Sequence, residues 1–415
     1  MRQVDTKHDH VAVCGVAGID VPAPATHDEG AYLSFGDGQP PVGQDFDLPV
    51  QVLDVFHSAS CRATLVQSNG KLTLDRRRML DTSPSLYLSP GWIDLHAHVY
   101  HGVTALSVHP DAVGLVRGVH LIADAGSAGE ATLQGLIEYV MPSVRTRLRA
   151  WLNISPVGLV TMREYYDLSL LDPERTCAAA LEHRPEVCGI KVRVSGLIVG
   201  GLGLEPLKLA RLAARAAGLP LLVHIGEPPP LIEEVLDLLD AGDVVSHCYH
   251  GKFGCPWRSD GQPGHALRGA LERGVLLDVA HGAASFSFGV AERAIAAGYP
   301  PYSISTDLHV RNWHGPVFDL PMTMSKLLAV GMPLLEVVRA VTESPARVLG
   351  EEDWCSLDGV LTQATLFRIA EGGEGRAARD STGEERVLER WVEPVGVITS
   401  AGMEWLIDEP PVRDR

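Results

Sequence analysis

Residues 90–101 read PGWIDLHAHVYH, and the fold turns on how this stretch is placed. Two of its histidines, His96 and His98, stand one alanine apart at the end of an apolar run, WIDLHAHV. In an extended strand residues i and i+2 point to the same side, so this spacing presents two imidazoles together. Seven further short apolar runs follow: GVHLIADAG, RAWLNIS, CGIKVRVS, PLLVHIGE, DVVSHCYH, GVLLDVAHG and YSISTDLHV. Between several of them lie segments of helical period: EATLQGLIEYVMPSVRTRL, PLKLARLAARAAG, LIEEVLDLLDAG, HALRGALERG and AERAIAAG. Strands alternating with helices form right-handed βαβ units and a parallel sheet buried on both faces. Eight such units predict an α/β fold, a closed (β/α)8 TIM-like barrel. An open doubly wound sheet is the alternative. It would carry a glycine fingerprint after its first strand, and the sequence has none.

The barrel is expected over residues 90–350, ending in a helical segment at about 318–349. The flanks differ in texture. Residues 1–89 hold the β-like runs VAVCGVAGI, VQVLDVF and ATLVQS, and residues 351–415 hold ATLFRIAEG and PVGVITSAGMEWLI. The two flanks are predicted to pair into one small discontinuous β domain. DRRRML at 75–80 reads as a solvated turn.

Bulk properties narrow the function classes. The chain has 415 residues, 46 % apolar and 21 % charged, which is enough to bury a large core. Its formal charge of −17 argues against a nucleic acid held by phosphate neutralisation. The seven cysteines are odd in number and form no C-x-x-C pair, so neither a disulfide framework nor a cysteine zinc knot is suggested. The opening MRQVDTKHDH has no apolar signal core, and no apolar run approaches the roughly 20 residues of a membrane span. The expectation is a cytoplasmic protein with neither a membrane nor a nucleic acid as partner.

Polar residues gather at the predicted C-terminal strand ends, where barrel active sites lie. His96 and His98 end the first strand, and Lys191 sits in the apolar frame GIKVRV of the fourth. His224 ends the fifth strand, His247 the sixth and Asp307 the eighth. Each alone has an ordinary explanation. A lone buried histidine is usually a hydrogen-bonded core residue, a strand lysine usually snorkels, and STDLH could cap a helix. Together, four histidines, a lysine and an aspartate at one end are costly as random burial. They are natural as a metal cluster, since neutral imidazoles and a carboxylate suit zinc or a similar divalent ion. The set exceeds what one catalytic zinc takes, which points to two ions needing a bridging anion. An ammonium only donates, but a neutral Lys191 amine can add carbon dioxide and become a carbamate, in effect a bridging carboxylate.

In order and spacing, DLHAHV, GIKVR, VHIGEPP, SHCYHG and ISTDLH resemble the amidohydrolase superfamily of metal-dependent hydrolases. Longer strings, among them SPGWIDLHAHVYHG, DAGSAG, DVAHGAASFSFGVA and DLPMTMSKLLAVGM, are similar to its amidohydrolase/deacetylase branch, whose members are dihydroorotase-like. The resemblance covers about residues 85–350 strongly, the C-terminal tail moderately and the first 80 residues poorly. It implies that His96, His98 and Asp307 hold a first metal, that His224 and His247 hold a second, and that carboxylated Lys191 bridges them. It further implies an acyl ester or amide hydrolase acting on a small acylated α-hydroxy or α-amino acid. A metal-bridging hydroxide would attack, and Asp307 would be the catalytic acid–base. Glu227 departs from the pattern, because a smaller or neutral residue is expected there.

Other roles follow from position. Arg193 lies two residues past Lys191 on the same strand, so it could grip a substrate carboxylate; the competing reading is a salt bridge to Asp124 or Asp278. His281, expected at the end of the seventh strand, is a candidate substrate contact. SGLIVGGLG and HGKFGCPWRSDGQPG read as loops capping the site. Two alternatives stay open. A cyclic amide hydrolase of dihydroorotase or hydantoinase type would use the same ligands. A catalytically dead scaffold is the reading from another class, and the retention of all six ligand positions argues against it. The sequence leaves the oligomeric state open, a homo-oligomer included.

Overall fold

The computed structural model describes residues 45–406 apart from 79, 81 and 82. VAVCGVAGI therefore lies outside the described residues. Strands β1 (Phe46–Asp54), β2 (Ala59–Ser68), β3 (Lys71–Asp75) and β4 (Leu86–Pro90) come first. The barrel strands follow: β5 (Trp92–Ala97), β6 (Val119–Gly129), β7 (Arg147–Asn153), β8 (Val187–Val194), β9 (Leu221–Ile225), β10 (Val244–Ser246) and β11 (Leu276–Asp278). The chain ends in β12 (Gln363–Arg379), β13 (Glu385–Thr399) and β14 (Gly402–Trp405).

Two sheets of seven strands result. One has the order β14-β13-β12-β4-β1-β2-β3, so strands from both flanks of the barrel build it together. β1 alternates buried and half-buried residues along its first half, the pattern of a sheet with one covered face. Asn69 and Gly70, both at positive φ, form the two-residue turn between β2 and β3, where Ser68 pairs Lys71. Only Gly91 separates β4, in this sheet, from β5, in the other.

The second sheet runs β5 to β11 with every pair parallel. Its strands are buried nearly throughout, and β5, β6 and β8 have no exposed position. Residues 303–308, predicted as the eighth strand, do not form a regular ladder but close the barrel from both sides. Val279 N and His281 N donate to Ser303 O and Ser305 O (both 3.1 Å), while Asp307 N donates to His96 O (2.6 Å) and His98 N to Leu308 O (2.9 Å). The regular pattern fails because Asp307 adopts φ 49°, outside strand geometry. The architecture is the TIM-like barrel with an accompanying β domain.

Outer helices connect the strands. Pro173–Glu182 is capped by the Asp172 carboxylate, which accepts from Glu174 N (2.9 Å) and Arg175 N (3.1 Å). Glu205–Ala217 buries Leu207, Ala210, Ala213, Ala214 and Ala217 and stops at left-handed Gly218. One helical expectation needs correction. Between β6 and β7 there is no regular α-helix, only a chain of short turns over 133–143, because Gly135 weakens the helix and Pro142 lacks a backbone donor. The segment at 318–349 holds three helices, Leu320–Ala329, Leu334–Arg339 and Glu343–Leu349, the first two parted at Gly331 (φ 95°) and Pro333 and the last two at Thr342, which leaves helical geometry (φ −132°, ψ −86°).

Candidate metal centre

The C-terminal ends of the barrel strands bring the predicted ligands together. His98 Nε2 lies 3.1 Å and His96 Nε2 3.3 Å from Asp307 Oδ1. Donor atoms of His96, His247 and Asp307 all lie within 4.8 Å of one another. Lys191 Nζ is 3.3 Å from His96 Nε2, and the His224 ring packs edge-on against His247 with centroids 4.3 Å apart. Two ligands at about 2.1 Å from one tetrahedral zinc stand about 3.4 Å apart, close to the His–Asp spacings observed. The six predicted ligands thus share one site. Asp307 keeps 14 % of its side chain exposed against 1 % for His96, so the carboxylate is the part reachable from the mouth.

Hydrogen bonds settle which ring nitrogens face inward. His247 Nδ1 lies 2.7 Å from Ala280 O, which can only accept, so Nδ1 carries the proton. Its Nε2 is then a lone pair, buried with no hydrogen-bond partner. An orphaned lone pair at this position fits a metal ligand. His96 follows the same logic through one relay. Its Nδ1 meets Ser246 Oγ (3.0 Å), whose hydroxyl can donate to Asp278 Oδ2 (3.4 Å). Asp278 also accepts from Ser303 and Ser305 (both 2.7 Å), tying the relay to the closing segment. Ser127 Oγ supports His98 Nδ1 (3.1 Å), and Asp124 accepts from Ser127 N (2.7 Å) and Val99 N (2.8 Å). Asp94 accepts from Thr306 N (3.1 Å) and His96 N (3.3 Å), joining β5 to the residue before Asp307.

Protonation follows burial. Burial pushes the imidazoles of His96 and His224 well below their usual range and His247 down to about 3, so all three rings are neutral and free to act as ligands. Burial draws Lys191 down to about 7. Burial alone would raise Asp307, but the close His96 and His98 rings and the nearby His247 together hold its carboxyl well below the usual range. Behind these rings, burial raises Asp278 to about 6 and Asp94 to about 7. Two backbone features place the ligands. His247 (φ 70°) and Asp307 (φ 49°) both sit in left-handed conformations that non-glycine residues rarely adopt, and strain of this kind collects at functional sites. Gly126 (φ 84°) leaves room for Lys191, since a Cβ there would fall 2.5 Å from Lys191 Cγ.

The two predicted substrate contacts are placed differently from the ligands. Arg193 is buried, and its Nε and Nη2 are taken by the Glu164 carboxylate (Nη2–Oε2 2.6 Å). The salt-bridge partner is therefore Glu164, not Asp124 or Asp278, whose oxygens are occupied by the bonds above. Tyr165 OH accepts from Arg193 N (2.8 Å), and Nη1 has no acceptor among the described residues. His281 does not end the seventh strand, because β11 stops at Asp278. It is fully buried with both ring nitrogens engaged, Nδ1 with Gly282 O (2.9 Å) and Nε2 with Lys326 Nζ (2.8 Å). Glu227 pairs Lys252 (3.2 Å). Sequence reasoning missed Glu164, Ser246 and Lys326. Only Lys326 left a signal, as the one cation in a helix that is otherwise apolar or small.

Among the described residues no helix is long and apolar enough to cross a membrane. No family model matches the chain. It is 43 % identical over 312 residues to a deacetylase of Agrobacterium fabrum (strain C58), spanning 74 % of this chain and 76 % of that protein. It resembles a crystal structure of a dihydroorotase with TM-score 0.77 at 37 % identity, covering 87 % of this chain and 98 % of the other. It also resembles a crystal structure of an adenine deaminase with TM-score 0.78 at 30 % identity, covering 87 % and 100 %.

Proposed function

Because this chain belongs to the amidohydrolase superfamily of hydrolases, we propose that it removes an acyl group from a small acylated α-hydroxy or α-amino acid. The observation that carries this reading is the convergence of His96, His247 and Asp307, with the His247 lone pair orphaned toward the others. The nitrogen-rich donor set suits two divalent ions, zinc first among them. His96, His98 and Asp307 would hold one and His224 and His247 the other, with Lys191 close to both sets. When bound, such ions acidify water and polarise the scissile carbonyl.

The chain's own residues do the rest. Burial keeps a share of Lys191 as the free amine near neutral pH. Its Nζ lone pair can add to carbon dioxide and lose a proton, giving a carbamate that would supply the anion such ions need. Asp307 presents Oδ1 to the histidines, while Oδ2 accepts no hydrogen bond from a described residue. Oδ2 takes the proton of the attacking water and returns it to the leaving oxygen or nitrogen. Arg193 offers Nη1 to the substrate carboxylate, with its guanidinium plane set by Glu164. The buried support behind His96, His98 and His247 keeps these groups in place during turnover.

Asp307→Asn tests the mechanism: metal content should persist while turnover falls to near zero, and retention of most of the rate overturns the role. The substrate class is tested on metal-loaded protein with acetylated R and S α-hydroxy acids, N-acetyl D and L amino acids, and dihydroorotate. The likeness to a dihydroorotase favours a second reading, cyclic amide hydrolysis at the same site. Turnover of dihydroorotate alone would establish that reading over the first.

A further inference from the structure

A second lysine is as deeply buried as Lys191. Lys326, in the helix Leu320–Ala329, has no exposed surface. Its Nζ lies 2.8 Å from His281 Nε2, 2.6 Å from Pro316 O and 2.8 Å from Arg379 O. An ammonium has three donors, and these are three acceptors. Gly282 O fixes the His281 proton on Nδ1, so Nε2 accepts from the lysine. One cation thus ties the loop after β11, the loop after the closing segment and the last residue of β12. The β12–β13 turn docks at the same place. Ser381 N donates to Phe286 O (3.0 Å), Ser381 Oγ to Gly282 O (2.9 Å), and Phe288 N to Asp380 Oδ2 (2.9 Å).

What this brace holds is Gly282. Its N–H donates to Thr306 O (2.9 Å), one residue before the catalytic aspartate. Its φ is 56°, and a Cβ there would lie 2.5 Å from Asp307 Oδ2. Oδ2 therefore occupies the space that a side chain at position 282 would fill, while Oδ1 meets His96 and His98. A carboxylate turns easily about its last bond, so where Gly282 is held sets the room in which Oδ2 can turn.

We infer that Lys326 is a positioning residue for hydrolysis: through His281 and Gly282 it fixes the carboxylate plane of Asp307, and it brings the β12–β13 turn of the other sheet into the assembly of the site. This rests on the acid–base role given to Asp307 above. The test compares Lys326→Met, Ser381→Ala and Asp307→Asn in metal-loaded protein, and follows the visible spectrum of the cobalt-substituted forms. Lys326→Met should lower kcat by about 10- to 100-fold, as misplacement of a reacting group does. KM and metal content should hold, and the cobalt absorption should shift as Asp307 turns. Ser381→Ala, which removes only a hydroxyl, should lower kcat about threefold with Tm unchanged, and it decides the matter if Lys326→Met does not fold. The inference is overturned if Asp307→Asn is inactive but both other variants keep the wild-type kcat and cobalt spectrum. It is equally overturned if Lys326→Met loses rate with an unchanged spectrum and a parallel change in KM. An active Asp307→Asn would instead remove the reading on which it rests.

Discussion

Replacing Gly126 by alanine asks whether Lys191 is placed by its neighbours or by its own strand alone. The added Cβ would stand 2.5 Å from Lys191 Cγ, 2.8 Å from Lys191 Cβ and 3.4 Å from Asn153 Nδ2. Carbon atoms in contact sit about 3.5–4.0 Å apart, so the overlap is about 1 Å. Lys191 Cβ is fixed by its backbone, so a rotamer change cannot relieve the clash and β6 or β8 must move. Alanine at φ 84° also loses about 1–2 kcal/mol to left-handed strain. Overpacking in a tight core costs about 1–3 kcal/mol. Together the loss is about 2–5 kcal/mol. Urea unfolding of the metal-free protein measures it without the stabilisation that bound ions would add. Displacing Lys191 should also weaken the second ion, so metal content after dialysis should fall below that of the wild type. A loss under about 0.5 kcal/mol with full metal content would refute the reasoning.

Ser246→Ala removes the hydroxyl between His96 and Asp278; metal affinity should drop about 10- to 100-fold in competition with a chromophoric chelator, and an unchanged affinity would mean the strand alone orients His96. Glu164→Gln leaves the Arg193 guanidinium buried without its counter-charge; stability should fall by about 3–5 kcal/mol in denaturant titration, and a loss under 1 kcal/mol would show that Arg193 finds another partner. His120, whose Nε2 lies 3.1 Å from Ala364 O between the two sheets, is pushed by burial down to about 4. Below pH 6.5 the unfolded chain takes up this proton first, so stability present above pH 6.5 is lost as pH falls toward 4. The stability difference between wild type and His120→Gln should shrink by about 2–3 kcal/mol from pH 7 to pH 4.5, and a flat difference would exclude His120 as its source.

The barrel and the side chains it gathers at one end were legible because chemistry-bearing residues stand where strand periodicity ends. His96, His98, Lys191 and His224 lie within, or one residue past, continuous apolar runs, and an apolar run makes a polar residue conspicuous. His247 and Asp307 were readable as residues but not as geometry. Their left-handed backbones cut β10 to three residues and keep the closing segment from forming a ladder. The supporting contacts were hidden for another reason. Glu164 sits in a connection without periodicity, and nothing local ties it to Arg193. His281 looked available for substrate because its strand was drawn three residues too long. Lys326 could have been singled out: its helix is buried from Leu320 through Leu327, and a lone lysine in such a helix needs acceptors.

The order of strands in the β domain also fixes an order in time. β4 lies between β1 and β12, so during synthesis one edge of β4 stays open until residues 364–367 emerge to pair with it. The metal ligands are complete once Asp307 is made, but the partners of Lys326 and Gly282 on the β12–β13 turn, Arg379 and Ser381, come later. At about 5–20 residues per second that interval is roughly 4–15 s. For those seconds a ribosome-bound chain owns every proposed ligand but not the contacts from the β domain that complete the surroundings of Asp307.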